Sequence, residues 1–129
     1  MSSTPPVCLA LVVCDAVWRD PATGKHTLLG CFSAIGAHQF PVIHPQLAVY
    51  LALTDGYNSV PLELRLIDAE EKALTTTKLD VQFGDPLAVV EIAVHLADVT
   101  FPAPGRYRLQ LTASGTPLME RRFGVHGHT

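Results

Sequence analysis

Apolar side chains alternate with other side chains over most of this chain, in short segments separated by turn signals every 10 to 15 residues. Period-two alternation places one set of side chains on each face of a β-strand, whereas a helix needs a period near 3.6. Residues 47–54 and 60–67 show it most clearly. We therefore predict one all-β domain over residues 1–129, a mainly antiparallel Greek-key β-sandwich of about eight strands. Residues 1–6 and 126–129 are predicted to be flexible tails.

The segments differ in how fully each strand should be buried. Residues 7–17 are apolar on both faces, which predicts a strand covered on both sides. The turn residues of "DGYNS" separate residues 47–54 from 60–67, and we predict that these two strands pair as a β-hairpin. Residues 74–83 are more polar and are predicted to lie near a sheet edge. The passage "GAHQFPVIHP" contains two prolines and is predicted to be irregular.

Residues 86–97 are ambiguous between strand and helix. Asp85 and Pro86 would serve as the N-cap and the first residue of a helix. Against a helix stand the regular alternation of this segment and its β-branched residues, which are Val89, Val90, Ile92 and Val94. We predict a strand, and a helix remains the alternative.

The stretch "DPATGKHTLLG" resembles a phosphate-binding loop, because a hydroxyl residue follows shortly after Gly24 and Lys25. Such a loop needs Gly-x-x-x-x-Gly-Lys followed directly by Ser or Thr, between a strand and a helix. Arg19 stands at the first glycine position, His26 stands at the Ser/Thr position, and a strand pattern follows. We therefore predict a turn that Asp20 begins, in which Gly24 supplies a positive φ. Asp20 and Lys25 then lie at an end of the sandwich, as candidate contacts for a partner.

The segment "FPAPGRYRLQL" predicts a structural corner before a strand. Gly105-Arg106-Tyr107 enters this strand after a proline-rich stretch, which is typical of the tyrosine corner of Greek-key sandwiches. In that motif the phenol ties the strand entrance to nearby backbone. We predict structural roles for Gly105 and Tyr107, as for Gly24 in the earlier turn.

The composition favours a protein partner. Apolar residues make up 48% of the chain and charged residues only 16%, so we expect apolar surface to be buried against another protein or a second copy. The net charge of −3 argues against nucleic-acid binding, which needs Lys and Arg to neutralise phosphates. The apolar run near the N-terminus is too short to span a bilayer, and no Lys or Arg precedes Arg19. We predict no membrane association and a cytoplasmic location.

Three cysteines, Cys8, Cys14 and Cys31, lie in apolar runs at no disulfide or metal-ligand spacing. An odd number at such spacings predicts buried free thiols in a reducing compartment.

No residue pattern in the sequence identifies an enzyme or a cofactor site. A nucleophile elbow is absent, and no cysteine lies in a polar context beside a histidine. Glu91 and His95 are predicted to form a surface ion pair, with an acid/base pair as the alternative. His126 and His128 lie two residues apart, but neither has a cysteine or carboxylate at a metal-ligand spacing. We predict a non-catalytic interaction or assembly module that needs no cofactor or metal.

Two other functions stay open. A module for a small ligand or carbohydrate would use the loop ends, where an aromatic platform and polar groups come from Trp18, Asp55, Tyr57 and Asn58. A function dependent on a divalent metal would use the loop aspartates, because calcium prefers carboxylate and carbonyl oxygens. These aspartates are Asp15, Asp20, Asp55, Asp68 and Asp85.

Several motifs occur in one order along the whole chain: "CDAVWRDPATGKHTLLGCF", "FPVIHPQLAVYLALTDG", "LRLID", "DPLAVVEIAVHL", "FPAPGRYRLQL" and "MERRFGV". In this order the chain resembles a family of short bacterial proteins known only as a domain of unknown function. The resemblance implies a bacterial cytosolic source and transfers no catalytic residue. In architecture alone, the chain is similar to immunoglobulin-like and C2-like sandwiches.

Overall fold

The computed structural model describes residues 4–127, and these residues form nine strands. All-β architecture is therefore confirmed, with one strand more than the sequence predicts. In chain order the strands are β1 (Val7–Arg19), β2 (His26–Cys31), β3 (Ala34–Ala37), β4 (Val42–Thr54), β5 (Asn58–Ile67), β6 (Ala73–Phe83), β7 (Val90–Phe101), β8 (Gly105–Ala113) and β9 (Thr116–Gly127).

The strands form two sheets of unequal size. Sheet A has the order β2-β1-β4-β7 and is antiparallel throughout. Sheet B has the order β3-β9-β8-β5-β6 and is mixed, because β3 runs parallel to β9. The pairing is thus mainly antiparallel, as predicted, and β3 with β9 is the one parallel pair among the described strands. An immunoglobulin-like or C2-like connection of these strands stays a prediction.

The hairpin predicted between residues 47–54 and 60–67 is wrong. Strand β4 pairs with β1 and β7 in sheet A, whereas β5 pairs with β6 and β8 in sheet B. The "DGYNS" segment therefore carries the chain from one sheet to the other, and Asp55 and Asn58 adopt φ values of 60° and 59° there. Gly56 passes close to Phe83 in this crossing, since a Cβ on it would lie 2.4 Å from the phenylalanine ring.

Two other strand boundaries differ from those predicted: the ends of the irregular passage and the start of the strand predicted at residues 86–97. Within the passage predicted to be irregular, β3 ends at Ala37 and β4 begins at Val42. Pro45 fits inside β4 because β1 pairs with β4 only as far as Ala48, which leaves one side of β4 free there. The strand predicted at residues 86–97 is confirmed from Val90 onward.

Two residues of the predicted C-terminal tail belong to a strand. His126 and Gly127 belong to β9 and lie beside Gly36 and Ala37 of β3. Residues 1–3 and 128–129 of the predicted tails lie outside the described residues.

The core lies between the two sheets and follows the alternation of the sequence. On β4 the inward side chains of Leu47, Val49, Leu51 and Leu53 are fully buried. Sheet B covers them with the inward residues of β5 and β8, which include Leu62, Leu64, Leu66, Leu109 and Leu111. Burial of each such side chain stabilises the fold by about 1.5–3 kcal/mol.

Tyr107 fixes the entrance of β8 to the preceding corner. Its ring is buried and packs edge-on against Phe101, with ring centroids 4.9 Å apart. Its hydroxyl donates a hydrogen bond of 2.6 Å to the carbonyl oxygen of Ala103, four residues upstream. This is the contact expected of a tyrosine corner.

Replacing Tyr107 by Phe should lower the free energy of unfolding by about 1 kcal/mol, because the net contribution of one such hydrogen bond is lost while the ring stays in place. Urea unfolding monitored by circular dichroism measures the change. Tyr57→Phe is the matched control, since the Tyr57 side chain is exposed. Equal stability of Y107F and Y57F would contradict the structural role of the hydroxyl.

Candidate binding surface

One side of the sandwich is open between the edge strands of the two sheets. Strand β7 is the last strand of sheet A, and β6 is the last strand of sheet B. They contain 12 and 11 residues, and neither contains a proline. A cleft of about 560 Å³ lies between them, lined by residues 77–82 of β6 and by Val90 and residues 92–95 of β7. We call it the β6–β7 cleft.

The core is incompletely covered along this cleft. Leu79, Val90 and Ile92 face the core but are only partly buried, whereas the corresponding leucines of β4 have no exposed surface. The difference arises because β7 has a neighbour in its sheet only on the β4 side, and β6 only on the β5 side. A further strand placed along either edge would cover these side chains.

The other side of the sandwich ends in short strands. Strand β2 is six residues long and β3 is four residues long. Short edge strands are one of the ways in which proteins prevent unwanted strand pairing. The two long edges at the β6–β7 cleft lack this protection.

Residues 15–30, which we call the hairpin arm, bend over the outer face of sheet A. Arg19 is the register partner of His26 in the arm, and Val12 is the register partner of Tyr50 in the sheet. A flat sheet would separate these two pairs by roughly 23 Å along β1. The rings of His26 and Tyr50 are nevertheless 5.5 Å apart. The arm therefore folds back across the sheet.

The bend begins where β1 stops pairing with β4. Their last register pair is Cys14 with Ala48. Directly beyond it, Gly30 has a φ of 67° and makes room for Asp15, because a Cβ on Gly30 would lie 2.4 Å from the Asp15 carboxylate.

The small-residue face of sheet A is covered by the protein itself. The sequence carries small side chains on β1 and β4, against which we expect a neighbour to pack: Cys8, Ala10, Cys14, Ala48 and Ala52. Cys8 and Ala10 are half-buried, and the other three are covered. Cys14 and Ala48 have no exposed surface and Ala52 is 6% exposed, although they point away from the core between the sheets. Tyr50 lies between the two alanines on this face, beneath the hairpin arm. A second copy therefore has no access to Cys14, Ala48 and Ala52.

A polar cluster holds the arm against the sheet. Nδ1 of His26 lies 3.2 Å from Oε2 of Glu91 in β7. The hydroxyl of Tyr50 donates to the same carboxylate oxygen. Burial, and secondarily the hydrogen bond and charge of Glu91, raise the pKa of Tyr50 to about 12. The ion pair predicted between Glu91 and His95 is wrong, because the arm brings His26 to this carboxylate instead.

Asp20 forms its hydrogen bonds within the turn at the tip of the arm. Its carboxylate accepts hydrogen bonds from the amide of Ala22, at 2.9 Å, and from the hydroxyl of Thr23, at 3.0 Å. These bonds hold the pKa of Asp20 below its usual value. Gly24 has a φ of 74° and donates to the Asp20 carbonyl. Lys25 follows as an exposed residue. The predicted turn between β1 and β2 is thus present.

The aromatic residues expected to form a platform lie in different elements. Trp18 is 53% exposed on the outer face of the arm, where Leu29 is its diagonal neighbour. Tyr57 is 54% exposed in the crossing between the sheets. No ring contact joins Trp18 and Tyr57 within residues 4–127. The backbone N–H of Asp55 donates a hydrogen bond to the carbonyl oxygen of Pro86. Asn58 is the first residue of β5.

The loop aspartates do not form one cluster. Asp20, Asp68 and Asp85 each accept hydrogen bonds from amides of their own turns. In the part of the chain that the structure describes, no group of three or more His, Cys, Asp or Glu residues has metal-site geometry. In the same part, no helix is long and apolar enough to cross a membrane.

The cysteines are free thiols, but they are not all buried. Cys14 is buried and Cys8 is half-buried, and burial raises the pKa of both thiols. Cys31 is exposed, which corrects the prediction for this residue. It lies opposite Cys14 at the base of the arm, where β2 is a sheet edge.

The Tyr50 phenol should ionise near pH 12, above the usual tyrosine value near 10, and the tyrosine absorbance should show this step. We expect the step near pH 12 to be missing in Tyr50→Phe and to remain in Tyr57→Phe. In Glu91→Gln the step should move toward pH 10 without reaching it, since burial remains. The native state holds this proton where the unfolded chain releases it, so the free energy of unfolding should fall as the pH rises through this range. A Y50F titration identical to that of the original protein would contradict the cluster.

Residues 9–126 match the model of a family described as a family of unknown function, DUF6941. The match confirms the resemblance to a family of unknown function over most of the chain. No curated protein matches the sequence. A bacterial source and a cytosolic location stay predictions.

Proposed function

The chain belongs to the DUF6941 family of unknown function, and since membership brings no activity with it, we propose that the protein is a non-catalytic binding module. Its β6–β7 cleft binds an extended segment of a partner protein, which adds a strand to one of the open edges. The observation that carries the proposal is the pair of long edge strands with half-covered core residues between them. Three free thiols support a reducing compartment such as the bacterial cytosol.

Strand addition would satisfy both the backbone and the side chains of the cleft. An incoming strand would form hydrogen bonds with the outer edge of β7, each with a net contribution of about 0.5–1.5 kcal/mol. Alternate side chains of that strand would contact Leu79 and Ile92 in the cleft. Backbone bonds then supply affinity and the alternate side chains supply specificity.

The charged side chains at the cleft indicate which kind of peptide segment would bind there. Lys78 and Asp80 carry opposite charges on β6, and His95 lines the β7 side. A segment with strong net charge would meet repulsion from one of the two β6 side chains. The preferred segment is therefore apolar at alternate positions and has little net charge.

Replacing Ile92 by Lys should strongly weaken the binding of extended peptides, because an inward-pointing lysine on an edge strand opposes the pairing of another strand there. Peptides selected by display on the immobilised protein supply the ligands, and fluorescence anisotropy measures their affinity. Leu87→Lys is the matched control, since Leu87 is 83% exposed outside the cleft lining. We expect a loss of at least about tenfold in I92K and less than twofold in L87K.

Hydrogen exchange on the same complexes locates the bound peptide. Amides on the outer edge of β7 or β6 should become protected when the peptide binds. Protection confined to other strands, or equal affinity of I92K and L87K, would overturn the proposal. A concentration-dependent dimer that I92K dissociates would identify a second copy of the chain as the source of the added strand.

The exposed tryptophan favours a second candidate, a site for a small ligand or carbohydrate. Trp18 is the chain's one tryptophan, and half of its side chain faces solvent beside Leu29. An aromatic face of this kind stacks on apolar sugar faces or ligand rings. Its fluorescence reports binding directly, so titration with a panel of oligosaccharides tests this candidate separately from the cleft.

A further inference from the structure

The outer face of sheet B brings arginines together across β8 and β9. Arg108 lies directly opposite Arg122, and Arg106 lies opposite Gly124. Arg106 and Arg122 are therefore diagonal neighbours on one face of the sheet. Like charges placed opposite each other destabilise a sheet unless other groups compensate them.

One of these three arginines has carboxylate partners that balance its positive charge, and the other two form no ion pair among the described residues. Nη1 of Arg108 donates to Glu71 at 2.8 Å, and its Nε lies 2.7 Å from Glu120. Glu71 reaches Arg108 from the turn between β5 and β6. Arg106 and Arg122 are exposed, and within residues 4–127 no carboxylate forms an ion pair with either of them.

A cavity of about 230 Å³ lies beside the two uncompensated arginines. Its lining consists of Ser33, Arg106, Arg122, Phe123, Gly124 and His126. Gly124 allows the His126 ring to lie here, since a Cβ on Gly124 would be 2.8 Å from Nε2 of that ring. The Ser33 hydroxyl oxygen accepts from Arg121 at 3.3 Å, which leaves its own hydrogen free to donate.

We propose that Arg106, Arg122 and His126 form a binding site for the phosphoryl group of a small phosphate monoester. Two guanidinium forks, an imidazole and a hydroxyl supply the donors that a phosphoryl group with three oxygens requires. The cavity is smaller than the roughly 300–1,000 Å³ of sites that enclose a whole drug-sized ligand. It therefore holds the phosphoryl group, and the rest of the molecule extends into solvent.

A neighbouring cavity shows on which side of the arginines the anion binds. Arg106 and Arg122 also line a space of about 290 Å³ together with Asp68 and Arg108. The Asp68 carboxylate accepts from the amides of Glu70 and Lys72, at 2.9 Å each, so this turn holds a negative charge there. An anion would be repelled on the Asp68 side and accepted on the His126 side.

Titration of the ¹⁵N-labelled protein with inorganic phosphate, at constant ionic strength in sodium chloride, tests the site by NMR. We expect saturable shifts at Arg106, Arg122 and Gly124. Arg106→Gln and Arg122→Gln should each weaken phosphate binding by about tenfold or more, because each removes a charged hydrogen bond. Arg65→Gln removes the same charge from the same sheet face, where Arg65 pairs with Glu63, and should change binding less than twofold.

Further ligands and one further variant distinguish specific recognition of a phosphoryl group from general ion screening. Glycerol phosphate should bind as phosphate does and acetate more weakly, if three oxygens are recognised. Gly124→Ala keeps all charges but displaces His126, and should weaken binding in the unchanged fold. Shifts that do not saturate, or that R65Q reduces as much as R106Q, would show general ion screening and overturn the proposal. The proposal does not involve the β6–β7 cleft, so either one can fail alone.

Discussion

The contact between the inner face of β4 and sheet B is the interaction on which the rest of the structure depends. Strand β4 lies between β1 and β7, and its inward side chains, from Leu47 to Leu53, have no exposed surface. Sheet B places the leucines of β5 and β8 on the same core. Because the burial of apolar surface is the main favourable term in folding, strands farther from this contact contribute less. The residues of β6 and β7 are half-covered because each of these strands lies at the edge of its sheet and has a neighbour on one side only.

The two sides of the sandwich end in different ways for a physical reason. On one side, β1 stops pairing with β4 at Cys14, and the freed hairpin arm bends over sheet A. The arm covers the alanine face with residues that would otherwise extend β1 and β2 as long edge strands. On the other side residues 84–89 join β6 to β7, and in the described part of the chain they contain no further strand that could cover the two edges. Their edges therefore remain long and open.

Much of the local structure could be predicted from the sequence, but little could be predicted of which strands pair with each other. The alternation at Leu47 to Leu53 identified buried side chains correctly, because period two is a property of one strand alone. The same pattern fits a strand whose neighbour lies beside it or in the opposite sheet, so the pairing of β4 with β5 was predicted wrongly. The turn at Asp20 and Gly24 was predicted correctly, since short-range hydrogen bonds and a positive φ determine it.

The candidate sites depend on register, which the sequence does not state. Trp18 and Tyr57 were expected to meet at the loop ends, but Trp18 lies on the outer face of the hairpin arm and Tyr57 lies in the crossing between the sheets. Arg106 and Arg122 are 16 positions apart and become neighbours only through the β8–β9 ladder. Nothing in their spacing indicates this, since a shift of one residue would turn one of them toward the core.

Arg108 lies on the same sheet face as Arg106 and Arg122 but forms ion pairs with two carboxylates. The fold can therefore supply a partner to an arginine on this face. Glu71 adopts a φ of 66°, a conformation that is unfavourable for a residue with a side chain, and its carboxylate meets Arg108 from there. The turn from Asp68 to Lys72 stabilises that conformation through amide hydrogen bonds to Asp68. An equivalent carboxylate beside Arg106 or Arg122 would relieve the same repulsion. Among residues 4–127 no carboxylate forms an ion pair with these two arginines, so both guanidinium groups stay available at a cavity lined with further donors, which is the arrangement that an anionic ligand stabilises.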